Sequence, residues 1–269
     1  MFLTREIRLF WEMVKRSFQR YMTYRAAALA GLFTNFGFGM MRIAIFVALY
    51  GEQQEVEGIS VQAVITYAAL SQAVIAYLSV FGWYDLMLTV YNGDVSSDLL
   101  KPMSYYRFWM AQDLGRMLVS LLLRGVTIMI IYELFWDMAH PETAVQWLIL
   151  IISIILSWLI SFTWRFLINL AAFWTPNAKG ICRFFFVLAM FFSGLFMPIR
   201  FFPDWVQAIV NLTPFPYMLN TVVEIYVNVL TGPAAWEALL LQAFWVVVLM
   251  AAGQWVLQTA VRRLVILGG

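Results

Sequence analysis

Charge and cysteine are both scarce in this chain of 269 residues. Charged residues make up 12% of the sequence, hydrophobic residues make up 63%, and the net charge is only +2. A composition this apolar excludes a soluble domain and indicates a polytopic membrane protein. The near-zero net charge gives no reason to expect nucleic-acid binding. The single cysteine, Cys182, excludes an internal disulfide and a cysteine metal cluster.

Motifs for ATP binding and for hydrolytic chemistry are missing as well. No G-x-x-x-x-G-K-[ST] loop is present to hold phosphates, so this chain is not expected to bind ATP by that route. Neither H-E-x-x-H nor G-x-S-x-G occurs. The one histidine, His140, lies in a short polar loop, which favours a solvated side chain over a metal ligand. No catalytic residue, cofactor-binding residue or metal ligand is predicted here.

What the chain does have is long apolar runs, most of them near the roughly 20 residues that cross a bilayer. Six runs predict membrane spans at 28–50, 61–83, 117–135, 145–166, 181–197 and 239–261. Six spans place both termini on one side of the membrane. The cations predicted on that side are Arg5, Arg8, Lys15, Arg16, Arg20, Arg25, Lys101, Arg107, Arg116, Lys179, Arg183, Arg262 and Arg263. The other side has Arg200 alone, so the positive-inside rule predicts cytoplasmic termini.

Residues 1–27 predict a basic amphipathic helix. Its apolar face carries aromatic and branched side chains, and its cations lie on the other faces. The apolar residues are Ile7, Phe10, Trp11, Val14 and Phe18. Such a helix is suited to lie along the cytoplasmic membrane interface, to pack against a partner protein, or to do both.

Four prolines interrupt the stretch 191–226, which follows the apolar run of the fifth span. They are Pro198, Pro203, Pro214 and Pro216, and they leave two short apolar pieces at 205–212 and 217–230. Proline removes a backbone donor and clashes with the preceding turn, so no single helix can run through. Broken backbone at membrane depth survives only where protein buries it or where it lines a cavity. The segment 198–236 therefore predicts a broken, re-entrant helical hairpin in the outer face of the bilayer.

The segment 92–116 predicts short helices between the second and third spans. Gly93 suits a tight turn, Asp94 or Ser96 can cap a short helix, and Pro102 helps to end it. Ser104 can cap a second helix at 105–115.

Two of these segments resemble ABC-2 type export permeases. Asn92 to Pro102 is similar to the pattern "G-x-(apolar)-x-x-x-L-L-(basic)-P" of their cytoplasmic coupling helix. Ser193-Gly194, Pro198, Pro203-Asp204-Trp205 and Asn211 to Tyr217 resemble the turns before their last span. With the amphipathic start, the resemblance covers essentially the whole chain.

The resemblance implies an all-α polytopic membrane fold with six transmembrane helices in a single domain, 1–269, of the cell inner membrane. It implies the permease subunit of an ATP-driven exporter, paired with a second permease, identical or related, and with cytoplasmic ABC ATPase subunits that hold ATP and magnesium. This chain itself would hold no cofactor. The residues that would contact the ATPase are Asp94, Asp98, Leu99, Leu100, Lys101 and Pro102.

In such permeases the path lies between the two copies and is lined mainly by spans one, two and five. Ionisable groups inside spans are costly and are functional candidates by default. The candidates for the path are Asn35, Arg42, Phe191, Met197 and Glu224. The aromatic and methionine-rich fifth span favours an amphiphilic or apolar cargo such as a drug, a lipid or a lipid-linked glycan.

Structural roles for the intramembrane charges stay open. Arg42 or Arg124 can pair with a backbone carbonyl or with a carboxylate such as Glu133, and Arg165 and Asp85 are expected to snorkel to the inner interface. Two other classes of protein also stay open. One is a stand-alone ion-coupled carrier, although no Asp/Glu/His series for proton transfer is seen. The other is a polytopic membrane enzyme, although no nucleophile–base pair is seen.

Overall fold

The structure is a computed structural model that describes residues 2–263, without the side chains of residues 2–5, 25, 27 and 28. The predicted domain 1–269 extends beyond these residues at both ends. Two cations of the positive-inside argument, Arg5 and Arg25, have side chains outside the described part.

Helices make up most of the described chain, so the predicted all-α polytopic fold is confirmed. The helices are α1 Phe2–Thr23, α2 Arg25–Tyr50, α3 Val61–Leu78, α4 Asp85–Tyr91, α5 Val95–Leu99, α6 Tyr105–Ser120, α7 Thr127–Glu133, α8 Ala144–Asn169, α9 Ala178–Phe192, α10 Asp204–Val210, α11 Asn220–Tyr226 and α12 Gly232–Val261. Two short strands, β1 Glu55–Val56 and β2 Ile59–Ser60, pair antiparallel between α2 and α3.

Five helical stretches in the described chain are long and apolar enough to cross a membrane. They are Leu29–Tyr50, Val61–Leu78, Tyr105–Glu133, Ala144–Phe173 and Gly232–Val261. The fifth predicted span corresponds to α9, which has 15 residues. At about 1.5 Å per residue this helix is shorter than the roughly 30 Å hydrocarbon core. The six-span count stays a prediction, in which the irregular chain after α9 completes the fifth crossing.

The third span begins well before its predicted start at residue 117. Ser104 accepts a hydrogen bond from the Arg107 amide at 3.4 Å, as predicted for a helix cap. The helix continues from α6 through a π-helical segment, Leu121–Val126, into α7. Motion at the base of α6 can therefore pass directly into the span.

The helix α1 packs along α6, with Val14 and Ser17 buried in the contact. The Ser17 hydroxyl donates to the carbonyl of Gln112 at 2.6 Å. Gly115 permits this approach, because a Cβ there would lie 2.6 Å from the Val14 carbonyl oxygen. Of the predicted apolar face, Ile7 and Trp11 remain exposed and free to meet the interface.

Replacing Gly115 with alanine should loosen α1 from α6. The added methyl group meets backbone atoms, and overpacking of this kind typically costs about 1–3 kcal/mol. We expect faster amide exchange throughout α1 and a lower melting temperature for the purified chain. The matched control is Gly37→Ala in α2, where a Cβ would meet nothing within 4 Å. Wild-type exchange in α1 of the Gly115 variant would contradict this account.

The two ends of the helix bundle differ. At one end, here called the hairpin end, the β1–β2 turn lies beside α10, with Gly58 next to the Arg200 side chain. At the other end, here called the α5 end, α1, α4, α5 and the start of α9 come together. Tyr91 joins two of these elements, because its hydroxyl donates to the Thr175 carbonyl at 3.1 Å and accepts from the Ala178 amide at 2.8 Å.

Candidate functional site

A cavity of about 390 Å³, here called the lateral cavity, opens between α2, α3 and the end of α9. Its lining is mostly apolar, with a few polar groups on α2 and α3. The lining residues are Gly31, Thr34, Asn35, Phe38, Arg42, Gln72, Ile75, Phe81, Met190, Leu195 and Phe196. Three spans that the resemblance assigns to a transport path therefore share one cavity.

Two of the predicted path residues, Asn35 and Arg42, line the lateral cavity. The Asn35 amide donates to the Gln72 carbonyl at 3.3 Å, which joins α2 to α3. Arg42 donates from Nη1 to the Ser71 hydroxyl at 2.5 Å and from Nη2 to the Phe196 carbonyl at 3.3 Å. The expectation that Arg42 contacts a backbone carbonyl is confirmed here.

The second intramembrane arginine lies beside the same cavity. Arg124, in the π-helical segment, donates from Nη2 to the Ala76 carbonyl at 2.7 Å. Its Nη1 atom lies 2.8 Å from the position of a Cβ on Gly31. Glu133 is not the partner of either arginine, because it contacts His140 Nε2 at 3.2 Å near the hairpin end.

The other three predicted path residues lie elsewhere. Phe191 is 45% exposed and its ring packs near that of Phe196, so it adjoins the lateral cavity from outside. Met197 packs on a small apolar cluster around Ile199. Glu224 lines a separate polar cavity at the hairpin end. The aromatic residues Phe38, Phe81 and Phe196 of the lateral cavity were not predicted, since nothing in their local sequence separates them from lipid-facing aromatics.

The polar cavity at the hairpin end measures about 350 Å³. Its lining residues are Glu57, Ile199, Arg200, Asp204, Gln207, Asn211, Asn220 and Glu224. Glu224 is buried and accepts from Arg200 Nε at 2.9 Å.

The broken hairpin is confirmed as two short helices, α10 and α11, and side chains from the surrounding spans satisfy its free backbone carbonyls. Gln146 of α8 donates to the carbonyls of Ile225 and Leu230 at 2.8 and 2.7 Å. Gln242 of α12 donates to the Tyr217 carbonyl at 2.9 Å. Contacts of this kind are what irregular backbone at membrane depth would require, and the re-entrant position of the hairpin stays a prediction.

At the α5 end, the predicted coupling residues divide into buried and exposed groups. Leu100 is 86% exposed, whereas Leu99 packs partly against the core. Asp98 is buried and pairs with Lys101 at 2.5 Å. The Lys101 ammonium lies 3.6 Å from the ring centre of Phe108, so this pair holds α5 against α6.

The predicted capping of α5 is wrong. The Asp94 side chain makes no capping hydrogen bond, because its backbone is already helical, with φ −62° and ψ −19°, whereas capping residues have extended backbone. Ser96 instead donates to the Gly93 carbonyl at 2.9 Å. Asp94 and Pro102 are both exposed, like Leu100.

A buried ion network joins three spans, and the sequence interpretation missed it. Arg165 of α8 donates from Nη1 and Nη2 to the two oxygens of Asp113 at 2.9 and 2.8 Å. Arg116 and Trp158 donate to the same carboxylate at 2.8 Å each. Arg116 also donates to the Tyr77 carbonyl at the end of α3 at 2.9 Å.

The prediction that Arg165 snorkels to the interface is wrong. Its side chain is 1% exposed, because Asp113 supplies a bidentate partner inside the protein. Asp85, at the start of α4, is exposed. A signal for the network was available in the spacing of Asp113 and Arg116, since residues three apart on a helix share a face.

A family comparison adds to this geometry. The family described as "ABC-2 family transporter protein" matches residues 36–268 of the chain. The matched range includes α5, the ion network, the broken hairpin and most residues of the lateral cavity. The helix α1 lies before the matched range. A comparison with curated proteins found no match.

Proposed function

The chain belongs to the ABC-2 family of transporter proteins, and from this premise we propose that it is the permease subunit of an ATP-driven exporter. A separate ATPase would supply the energy at the α5 end. That end would face the cytoplasm of a cell with the chain in its inner membrane. A second permease, identical or related, would complete the path. The cargo would be an amphiphilic or apolar molecule.

The observation that carries this proposal is the side chain of Leu100. Leu100 is an 86% exposed leucine that directly follows the short helix α5, and it is suited to anchor in a groove of a partner. Buried apolar anchors dominate protein contacts of this kind, and exposed charges contribute little. Asp98 and Lys101 would orient the anchor by holding α5 on α6.

The contacts of α5 also provide a route for force. A push on α5 would pass through Lys101 and Phe108 into α6, which is continuous with the third span. The Asp113 network ties α6 to α8 and to the end of α3. Closure of an ATPase dimer would therefore move α3, α6 and α8 together, and α3 lines the lateral cavity.

The test is Leu100→Asp, measured by co-purification of the ATPase subunit and by substrate-stimulated ATP hydrolysis. Loss of one anchor worth about 2 kcal/mol should weaken association about thirtyfold. The matched control is Leu212→Asp, because Leu212 is 78% exposed but follows α10 at the hairpin end. Leu99 is less suitable to replace, because it packs on the core and its loss would also lower stability.

Wild-type association of the Leu100 variant would reject α5 as the ATPase contact. The next surface to test would then be the groove of about 400 Å³ between α1 and α6, which Ile7, Trp11 and Arg107 help to line. Ion-driven transport by the purified chain alone in liposomes would instead support the carrier alternative and reject the exporter.

A further inference from the structure

The arginines beside the lateral cavity have no ion-pair partner among the described residues. Asp113 is already shared by Arg116 and Arg165, and Glu133 contacts His140. Arg42 has only the Ser71 hydroxyl and the Phe196 carbonyl, and its buried Nε atom has no hydrogen-bond partner in the described chain. Arg124 has only the Ala76 carbonyl.

Arg42 is also the one charged residue among the described residues that line this cavity. It lies eight residues before the end of α2 at Tyr50, which is about 12 Å along the helix axis. Around it, Thr34, Asn35 and Gln72 offer polar contacts, and the rest of the lining is apolar. The cavity thus has a cationic point within an apolar wall.

An unpaired cation in a low-dielectric site is costly, and a bound anion relieves that cost. Arginine is well suited to this contact because its planar fork donates two parallel hydrogen bonds to a carboxylate or phosphate. The Nε atom lacks a partner in the described chain, so the contacts with Ser71 and Phe196 leave a donor of the guanidinium unused. A cationic ligand would be repelled, and a neutral one would leave the charge unpaired.

We propose that the lateral cavity binds an anionic amphiphile, whose phosphate, sulfate or carboxylate group pairs with Arg42 while its apolar part contacts Phe38, Ile75 and Phe81. That the bound molecule is the exported cargo rests on the proposed function. The selectivity of the cavity for negative charge does not rest on it.

The experiment compares probes of one chain length on the full-length chain in an uncharged maltoside detergent. Native mass spectrometry would measure the binding of dodecyl phosphate, dodecanol and dodecyltrimethylammonium. Wild-type protein should bind dodecyl phosphate at least tenfold more tightly than the other two probes. Inorganic phosphate should not displace it, because the apolar wall contributes to binding. Displacement by inorganic phosphate at equal concentration would overturn the assignment to an amphiphile.

Three variants make the test specific to Arg42. Arg42→Gln should weaken dodecyl phosphate binding about tenfold or more, since hydrogen bonds to charged groups are worth about 1.5–3 kcal/mol. Arg42→Lys keeps the charge but lacks the fork, so it should bind dodecyl phosphate more tightly than Arg42→Gln and more weakly than wild type. The matched control Arg16→Gln, at an exposed arginine of α1, should bind as wild type does. A melting curve for each variant shows whether it is folded.

Equal binding of the anionic and cationic probes by wild type would overturn the proposal, as would unchanged binding by the Arg42→Gln variant. The Arg42→Gln variant could instead lose self-association while still binding the probe. In that case a carboxylate of a second copy is the partner of Arg42, and this result also overturns the proposal. None of these measurements needs the ATPase. If Arg42 proves not to bind the anionic probe but Leu100→Asp weakens ATPase association as expected, the cargo class is rejected and the exporter proposal stands. If the probe binds as expected but Leu100→Asp has no effect, α5 is rejected as the ATPase contact and the selectivity of the cavity stands.

Discussion

Replacing Asp113 with alanine is expected to cost about 3–5 kcal/mol of stability, which is enough to abolish accumulation of the folded protein. The substitution leaves Arg116 and Arg165 buried without their shared carboxylate, and removal of one partner from a buried ion pair typically costs this much. The Trp158 indole would lose its acceptor as well. Fluorescence-detected size exclusion of the membrane extract and the melting temperature of any purified protein would measure the loss.

The network also predicts an order of effects. Arg165→Ala should cost less than Asp113→Ala, because Asp113 would keep Arg116 and Trp158 as partners. The matched control is Asp94→Ala, which removes an exposed carboxylate that forms no ion pair in the described chain and should change the melting temperature little. Equal effects of the Asp94 and Asp113 variants would mean that the ion network does not hold the three spans together.

Replacing Asn220 with leucine is expected to loosen the start of the broken hairpin and its contact with α3. The Asn220 Oδ1 atom accepts from the Ile199 amide at 3.1 Å and from the Tyr67 hydroxyl at 2.9 Å. Leucine has a similar volume but leaves the buried Ile199 amide unpaired, which costs about 1–3 kcal/mol. Local opening should then be about thirtyfold more frequent at a cost of 2 kcal/mol, and amide exchange at residues 198–204 would measure it.

Two further variants separate this effect from a general loss of stability. Tyr67→Phe removes a hydroxyl from the same junction but leaves the Ile199 amide bonded to Asn220, so its effect should be smaller. Asn177→Leu makes the same change at an exposed position before α9 and should leave the hairpin unchanged. If exchange in the hairpin rises equally in all three variants, Asn220 is not the residue that holds it.

Features that depend on neighbouring residues could be read from the sequence. The apolar runs identify the spans because crossing a bilayer requires a minimum hydrophobic length. The four prolines identify the break before the last span because each removes a backbone donor at its own position. The helix cap at Ser104 was predictable because the Ser104 hydroxyl accepts from the Arg107 amide, which is only three residues further along the chain.

Features that depend on how helices are rotated against one another required the tertiary structure. Asp113 and Arg165 are 52 residues apart, and only the packing of α6 on α8 shows that they pair. The same packing decides that Leu99 faces the core while Leu100 faces outward, and that Gln146 and Gln242 meet the carbonyls of the hairpin. It also encloses Arg42 in a cavity with residues of two other elements. Hydropathy is a sum over neighbouring residues, so it can indicate which segments enter the membrane. The partner of a buried polar group depends instead on distances between segments that are far apart in the sequence. A sum over neighbouring residues carries no information about those distances.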